Sequence, residues 1–256
     1  MMTLENLSKH FGGVRAVDDV SLTIREGEIF GLIGPNGSGK STTVNLITGL
    51  YTPTSGRVTL DGQDLTALAQ HERTARGVAR TFQNIRLFGN LTVAQNLWVA
   101  QNGQEQRRQH FLSRWFKPGG EHTEDIGELL QFSRLYSKRD VLAANLSFGE
   151  MRRLEMARAL ASRPRVLLLD EPAAGASLED AELLAERIRA VRDRGVTVLL
   201  IEHMMELVMG ITDRIAVLNF GRKIAEGTPA EVQENPQVRT AYLGGSHETE
   251  KEMANA

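Results

Sequence analysis

The last third of the chain alternates apolar runs with stretches of helical period. The run Val166–Leu169 is followed by a segment whose apolar residues recur every three or four positions, and then by the second run Thr197–Ile201. Apolar runs that alternate with helices indicate a parallel β-sheet. In the first quarter of the chain, short segments rich in β-branched residues lead to the turn pair Asp61-Gly62, which predicts an antiparallel layer instead.

The middle of the chain has a different character. Two helical patterns flank an amide- and charge-rich stretch and a breaker cluster of Lys, Pro and two Gly at 117–120. The sequence therefore predicts a core built from residues 1–86 and 163–245, interrupted by an inserted helical subdomain at 87–162. Residues 246–256 are polar and charged, and we expect them to form a disordered tail.

A glycine-rich motif joins a predicted buried strand to a predicted helix. Residues Gly34–Ser41 fit the pattern G-x-x-x-x-G-K-[ST], and the helical pattern Ser41–Leu50 follows them. Glycines let backbone N–H groups point at phosphate, the start of a helix adds partial positive charge, and Lys40 adds a full one. The motif predicts a triphosphate site, and the alternative is a glycine-rich turn that happens to carry a lysine. The residues expected to hold the nucleotide are Gly34, Pro35, Asn36, Gly37, Ser38, Gly39, Lys40, Ser41 and Thr42.

Two carboxylates stand directly after the predicted strand Val166–Leu169. Asp170 and Glu171 lie where a parallel sheet places its ligands, at the carboxyl ends of the strands. Asp170 suits the shell of a Mg²⁺ ion, and Glu171 suits the task of orienting and partly deprotonating the water that attacks a γ-phosphate. An acidic pair followed by Pro172 is equally a signal for the start of a helix, so the glycine-rich loop is what favours the catalytic interpretation.

The net charge, the cysteine content and the length of the apolar runs argue against several classes of protein. The net charge is −2 with acidic and basic residues interspersed, so wrapping a nucleic acid is not expected to be the main function. The chain has no cysteine, and no apolar run approaches the roughly 18 residues that a membrane span requires. From the sequence we expect a soluble cytoplasmic protein with one large core.

Five segments stand in a recognisable order along the chain. They are Gly34–Ser41, Thr81-Phe82-Gln83, Leu146-Ser147-Phe148-Gly149-Glu150, Asp170-Glu171 and Ile201-Glu202-His203. Together they resemble the motif set of the ATP-binding-cassette (ABC) transporter ATPases, over nearly the whole chain. The resemblance implies an α/β fold: a P-loop NTPase (RecA-like) core with an antiparallel β subdomain and an inserted α-helical subdomain. It also implies ATP hydrolysis, with ATP and Mg²⁺ as the bound groups.

The resemblance assigns roles to the matching positions. Gln83 matches the family's glutamine that contacts Mg²⁺ or its water, so the implied metal residues are Ser41, Gln83 and Asp170. Ser147 and Gly149 match the signature segment, which caps the γ-phosphate of ATP held by a second subunit. The alternatives are an ordinary loop amide at Gln83 and a helix N-cap, and nothing more, at Ser147.

Two further positions match residues that contact the nucleotide in this family. His203 matches the switch histidine, which contacts the γ-phosphate and supports Glu171, and Phe11 matches the aromatic residue that stacks on adenine. The alternatives are a surface or packed histidine at His203, which is the more common case for a histidine taken alone, and a core phenylalanine at Phe11. The implied catalytic residues are then Glu171, His203, Lys40, Ser147 and Gly149.

The chain departs from the family pattern in two segments. Its signature reads Leu-Ser-Phe-Gly-Glu where Leu-Ser-Gly-Gly-Gln is more common, and Glu150 puts a carboxylate into the first turn of a helix beside a polyphosphate. After Pro172 the family commonly has Ser-x-Leu-Asp, whereas this chain has Ala174-Gly175-Ala176-Ser177. The aspartate expected between subunits is therefore missing, or it is Asp180, displaced by three positions.

Other segments point to the kind of transporter. Arg80–Phe88, Glu171–Gly175 and the ending from Glu226 to Gly244 are similar to the ATPases of branched-chain amino acid importers. The resemblance implies transmembrane permease subunits, a second ATPase subunit and, indirectly, a substrate-binding protein, with the chain on the cytoplasmic face of the inner membrane. Relatives that handle urea or lipopolysaccharide leave the cargo open. Soluble cassettes that act on nucleic acid or ribosomes, and a kinase-like phosphoryl transferase, are the alternatives from other classes.

Apolar residues follow Gln83 in an otherwise polar, glycine-containing loop. Ile85, Leu87, Phe88 and Leu91 either line a groove for a cytoplasmic helix of a membrane subunit or seat the helical subdomain. The sequence leaves both interpretations open.

Overall fold

The computed structural model describes residues 1–81, 85–102, 123–175 and 177–242, without the side chains of 123–125 and 178. The chain forms two compact units, Met1–Arg73 with Leu168–Ala256, and Thr74–Leu167. The strands are β1 (Met2–Phe11), β2 (Val14–Ile24), β3 (Ile29–Ile33), β4 (Ser55–Leu60), β5 (Gln63–Asp64), β6 (Val78–Arg80), β7 (Val166–Asp170), β8 (Thr197–Ile201), β9 (Arg214–Asn219) and β10 (Arg222–Gly227). The helices are α1 (Lys40–Thr48), α2 (Gln70–Ala75), α3 (Val93–Asn102), α4 (Thr123–Phe132), α5 (Phe148–Ala161), α6 (Leu178–Asp193), α7 (Met205–Ile211) and α8 (Pro229–Glu234), with 3₁₀ turns at Tyr136–Lys138 and Ala143–Asn145.

The first unit contains an antiparallel sheet with the strand order β2-β1-β4-β5. Its central strand β1 pairs on both sides, so that Met2 lies opposite Ile24 on one neighbour and opposite Leu60 on the other. The apolar side chains of β1 at Met2, Leu4 and Leu7 are buried. The antiparallel layer predicted from the β-branched segments is confirmed.

The core of the first unit is a largely parallel sheet in which the strands follow the order β10-β9-β3-β8-β7. Strand β3 is parallel to both neighbours, with Phe30 opposite Leu199 on β8 and opposite Arg214 on β9. Every residue of β3 and β8 is buried. A strand covered on both faces has no polar side to present, which explains why these segments are continuous apolar runs. The predicted parallel sheet is confirmed.

Helix α1 is shorter than its sequence pattern suggests. The pattern continues to Leu50, but the helix ends at Thr48 and Leu50 is 54% exposed. Gly49 adopts a left-handed conformation with φ 77°, and its N–H is bonded back to the last carbonyl groups of the helix. A glycine in this conformation ends a helix at little steric cost, so the prediction that the helix reaches Leu50 is wrong.

A buried arginine holds the carboxyl end of α1. Arg73 is 1% exposed, and burial lowers its pKa. Its guanidinium donates to the carbonyl oxygens of Leu46 (2.5 Å) and Ile47 (2.8 Å), and also to those of Thr66 (2.8 Å) and Leu68 (3.0 Å). The last carbonyls of a helix lack partners within the helix and carry partial negative charge. Arg73 therefore satisfies these carbonyls and ties α1 to the chain that follows β4.

The second unit is mainly helical. Helices α3 and α4 both pack on α5, and Leu97, Leu130 and Leu154 are buried there. The amide of the fully buried Asn96 bonds both backbone groups of Phe88, accepting from its N–H at 3.0 Å and donating to its carbonyl at 3.1 Å. The segment after residue 84 is thus anchored to helix α3 through its backbone.

Replacing Arg73 by Met should destabilise the protein by about 3 kcal/mol, because four carbonyl groups lose their charged donor in a buried place. Urea unfolding of the purified chain measures this change. Arg25→Met removes a guanidinium from an exposed position and should change the free energy of unfolding by less than about 0.5 kcal/mol. An Arg73→Met variant as stable as the wild type would show that water satisfies the end of α1.

Candidate active site

The loop between β3 and α1 needs glycine at two places for steric reasons. Gly34 has φ 152°, and a Cβ there would lie 2.2 Å from the carbonyl oxygen of Leu218. Gly39 has φ 103°, and a Cβ there would lie 2.5 Å from the carbonyl oxygen of Ala16. Side-chain carbon atoms do not approach carbonyl oxygens so closely. The two glycines therefore let strands β9 and β2 press against the loop.

Lys40 is buried inside this loop. Its Nζ donates to the carbonyl oxygens of Gly34 (2.7 Å) and Pro35 (3.0 Å). Burial lowers the pKa of Lys40, while the nearby carboxylates of Glu171 and Asp170 oppose that shift. The loop thus holds an ammonium group close to where a phosphate chain is predicted to bind.

The start of α1 offers unused hydrogen-bond donors. Gly39 is the N-cap residue and supplies no side-chain cap, and the first turn contains no acidic residue. The hydroxyl of Ser38 is buried and, within the described part of the chain, has no hydrogen-bond partner. Backbone N–H groups at a helix start, a buried hydroxyl and an ammonium form a donor set that fits a polyphosphate. The structure therefore brings the predicted nucleotide-binding residues together in an arrangement suited to that ligand.

The acidic pair lies at the carboxyl end of β7. Asp170 is 7% exposed, and Glu171 has a left-handed backbone with φ 49°. The N–H of Glu171 donates to the carbonyl of Ile201 at 2.9 Å, which joins the ends of β7 and β8. The side chains of Glu171 and His203 meet, with 2.7 Å between Oε1 and Nε2. The residues predicted from separate segments as base and switch histidine are therefore in direct contact.

Glu202 is a site residue to which sequence reasoning assigned no role. Its carboxylate is 4% exposed and accepts three backbone N–H groups: those of Ala173 (2.6 Å), His203 (2.9 Å) and Met204 (3.3 Å). Glu202 thereby fixes the loop after Glu171 and the loop that carries His203 in one arrangement. A carboxylate directly after the apolar run Val198–Ile201 was the signal in the sequence that could have identified it.

The described residues fit a magnesium site in which a bound phosphate supplies some of the ligands. They do not form a site in which protein side chains alone surround the ion. Among the described residues no group of three or more His, Cys, Asp or Glu side chains could hold a metal ion. Mg²⁺ commonly uses one or two carboxylates together with substrate phosphates. The exposed hydroxyl of Ser41 and the carboxylate of Asp170 match that need, both within the first unit. The third predicted ligand, Gln83, lies outside the described residues.

Phe11 is placed at the surface. Its side chain is 44% exposed, its ring meets that of Tyr51 edge-on at 5.3 Å between centroids, and Lys9 Nζ lies 5.1 Å from its ring centre. The alternative of a core phenylalanine is therefore wrong. Adenine stacking stays a prediction.

The signature segment begins helix α5 in the second unit. Ser147 and Glu150 form a capping box, in which Ser147 Oγ accepts the Glu150 N–H (3.4 Å) and Glu150 Oε2 accepts the Ser147 N–H (3.0 Å). The N-cap role of Ser147 is therefore real, and it does not exclude contact with phosphate. A Cβ at Gly149 would meet nothing within 4 Å, so the fold itself makes no demand for glycine there.

The two departures from the common motif pattern have local explanations. Phe148 is 60% exposed and lies under the guanidinium of Arg152, 5.2 Å from ring centre to Cζ. Ser177 is the N-cap of α6, and its hydroxyl bonds both the N–H (3.1 Å) and the carboxylate (2.8 Å) of Asp180. Asp180 thus has a capping role within the chain. Ala176 lies outside the described residues.

The C-terminal part of the chain reaches the loop that carries Gly34. Val238 packs in a buried cluster with Ile33 and Val217. Burial raises the pKa of the Tyr242 hydroxyl, and a hydrogen bond to the backbone of Gly34 acts in the opposite direction. The sequence marked this region only through its family-specific ending, and the packing shows that it supports the start of the phosphate loop.

Comparison with known proteins identifies the family. Residues 17–174 match the family model described as "ABC transporter", and residues 222–248 match one described as "Branched-chain amino acid ATP-binding cassette transporter". The chain belongs to the ABC transporter ATPase family. The predicted family, the P-loop fold class and the ATPase activity of the cassette are confirmed.

Two relatives and two solved structures show how far the likeness extends. The cassette is 42% identical to the high-affinity branched-chain amino acid transport ATP-binding protein BraF of Pseudomonas aeruginosa, covering 95% of this chain and 98% of that protein. It is 36% identical to the lipopolysaccharide export system ATP-binding protein LptB of Haemophilus influenzae, covering 95% and 97%. Its structure is similar to the ADP conformation of the ABC transporter cassette MJ1267, with 33% identity, a TM-score of 0.82 and coverage of 95% and 98%. It is also similar to a dimeric post-hydrolysis state of the cassette MJ0796 bound to ADP and Pi, with 28% identity, a TM-score of 0.75 and coverage of 90% and 99%.

The family match indicates which ligand the cassette binds and which subunit of a transporter it is. ABC cassettes bind nucleotide, and this one is the ATP-binding subunit of a transporter. No helix in the described part of the chain has the length and apolar character needed to cross a membrane.

Replacing Gly34 by Ala should reduce ATP affinity by roughly 100-fold, because the new methyl group forces the loop away from the Leu218 carbonyl. Isothermal titration with ATP measures the loss. Gly37→Ala is the matched control, since Gly37 also has a positive φ (76°) but open space around its Cβ position. Equal losses in both variants would mean that backbone conformation alone, and not the close approach of β9, requires the glycine.

Proposed function

We propose that this cassette hydrolyses ATP to energise the import of branched-chain amino acids. The contact between Glu171 and His203 at 2.7 Å, beside the buried Lys40, is the observation that carries the hydrolytic function. The match of residues 222–248 and the likeness to BraF support the cargo.

Binding of the triphosphate rests on residues of the first unit. The N–H groups of the loop and of the start of α1 surround the phosphates, and the Lys40 ammonium exchanges its loop carbonyl partners for phosphate oxygens. Phe11 offers an exposed ring on which adenine stacks. Ser41, Asp170 and Gln83 would hold Mg²⁺, which would supply positive charge to offset that of the phosphates.

Hydrolysis needs a base and a group that keeps the base in place. Glu171 orients the attacking water and accepts its proton, since its carboxylate projects from the end of β7 next to the acidic edge of the site. His203 holds Glu171 through the Oε1···Nε2 contact, and Glu202 holds the backbone of His203. The water oxygen then bonds to the γ-phosphorus while the bond from that phosphorus to the bridging oxygen breaks in line with it, which releases ADP and inorganic phosphate.

A second cassette completes the site. In the proposed assembly two ATPase subunits face head to tail, and Ser147 and Gly149 of one cap the γ-phosphate bound by the other. A related cassette of known structure is a dimer with ADP and Pi, which supports this arrangement. Closure of the pair on ATP is the step that drives transport, and loss of the γ-phosphate reopens it. The pair is a homodimer or a heterodimer.

The cassette works at the cytoplasmic face of the inner membrane as a peripheral subunit bound to two transmembrane permease subunits, with a substrate-binding protein acting through them. Leu87 and the 50% exposed Phe88 form the proposed docking surface for a cytoplasmic helix of a permease. The likeness to LptB supports lipopolysaccharide as a second candidate cargo. Transport assays with each cargo in reconstituted vesicles distinguish the two candidates.

Glu171→Gln should lower the steady-state ATPase rate by roughly 100-fold or more while ATP binding persists, because the amide cannot accept a proton. The same variant should accumulate as an ATP-bound dimer, which size-exclusion chromatography with light scattering detects. Glu179→Gln, on the exposed first turn of α6, is the control and should keep the wild-type rate. An undiminished rate in Glu171→Gln would remove this residue from the role of base.

Asp substitutions at Leu87 and Phe88 should uncouple transport while ATP affinity stays within about two-fold of the wild type. The backbone of Phe88 is held by Asn96, so a new side chain there leaves the segment in place. Co-purification with permease subunits from detergent-solubilised membranes measures docking, and Leu50→Asp, at another exposed apolar position, is the control. Lost nucleotide binding in the Leu87 and Phe88 variants would instead indicate that these residues are needed for folding.

A further inference from the structure

An ion pair stands at the beginning of the signature helix. Lys138 Nζ lies 2.6 Å from Glu150 Oε1, and the Glu150 side chain is only 15% exposed. This contact, followed by the bond from the Ser147 backbone, lowers the pKa of Glu150 to about 2. Both carboxylate oxygens of Glu150 therefore have a partner. Oε1 pairs with the Lys138 ammonium, and Oε2 accepts the Ser147 N–H.

The position of Glu150 has two opposite consequences. As the partner of Ser147 in the capping box, it fixes the geometry of the residue that the proposed function places on the γ-phosphate. As an anion in the first turn, it cancels the partial positive charge of the helix start, on which an incoming phosphate depends. Glu150 can fix Ser147 without repelling the phosphate only if a cation neutralises its charge.

Lys138 is well placed to supply that cation. It ends the 3₁₀ turn Tyr136–Lys138, where its own N–H donates to the carbonyl of the buried Leu135 (2.9 Å) and its carbonyl accepts from Val141 (2.9 Å). The backbone of Lys138 is thus fixed on both sides. Only its ammonium end, on a side chain that is 44% exposed, extends to Glu150.

Arg152 and Arg153, near the start of α5, contribute less to Glu150. Arg153 Nη2 is 3.7 Å from Glu150 Oε1, beyond hydrogen-bond distance. The Arg152 guanidinium lies over the Phe148 ring and 4.0 Å from Glu155. Lys138 therefore makes the closest charge contact with Glu150 among the described residues.

We propose that Lys138 is a positioning residue for the signature segment, which neutralises Glu150 so that the Ser147 end of α5 stays attractive to the γ-phosphate of ATP bound by the second subunit. The inference rests on the proposed function. It also accounts for the departure of the signature sequence at Glu150, because glutamine, the more common residue, needs no neutralising partner.

Lys138→Met, made in the Glu171→Gln background, should weaken ATP-driven dimerisation on the order of five-fold, as expected when a partly exposed carboxylate loses its partner. Glu150→Gln keeps an oxygen for the Ser147 N–H and loses only the charge, so the double variant Lys138→Met/Glu150→Gln should dimerise as tightly as Glu150→Gln alone. Lys138→Arg, in the same background, should retain the affinity of the Glu171→Gln parent. Analytical ultracentrifugation with MgATP at 50 and 500 mM salt measures these constants, and the deficit of Lys138→Met should shrink at high salt.

Lys223→Met is the matched control, since Lys223 also pairs with a glutamate, Glu226, at 2.5 Å, but in the first unit. It should leave dimerisation unchanged. Equal dimerisation of the Lys138→Met and parent proteins, or a double variant as weak as Lys138→Met, would overturn the inference and leave the proposed function intact. If the Glu171→Gln parent itself forms no dimer with ATP, the proposed two-subunit site fails, and the inference fails with it.

Discussion

The site depends on keeping one ammonium group buried inside a turn of glycine-rich backbone. Lys40 has lost water, which lowers its pKa, and it is held by two carbonyl oxygens of its own loop and by the field of two carboxylates. That arrangement requires the loop to pass within contact distance of β2 and β9, and only glycine at positions 34 and 39 leaves the room. Arg73 stabilises the far end of the same helix.

The acidic side of the site comes from the neighbouring strands β7 and β8. Glu171 and His203 are 32 positions apart, and they meet because the two strands run side by side and end at the same edge of the sheet. Glu202 connects the two loops through three backbone N–H groups. A left-handed backbone at Glu171 is a strained conformation for a residue other than glycine, and the bond from its N–H to β8 helps to maintain it.

The second unit contributes a surface rather than a complete site. Its helix α5 is preceded by the N-cap residue Ser147, whose backbone and hydroxyl both bond to Glu150, and Lys138 forms an ion pair with Glu150. The proposed contact of this helix start with phosphate is compatible with an acidic residue in its first turn, because the ion pair offsets the charge of that residue. In the proposed function, the first unit holds the reacting groups, and the second presents a capped helix start to the nucleotide of a partner subunit.

The sequence alone determined the phosphate loop, the acidic pair and the two kinds of sheet, because each depends on local order: glycine spacing, strand ends and apolar period. Tertiary structure decided the rest. Glu202 accepts an N–H group from Ala173, 29 positions away, and so joins two loops, and Lys138 pairs with Glu150 in another element of the second unit. Such contacts depend on distances between segments that are remote along the chain. The order of residues along the chain does not give those distances, because they are set only when the strands and helices pack together.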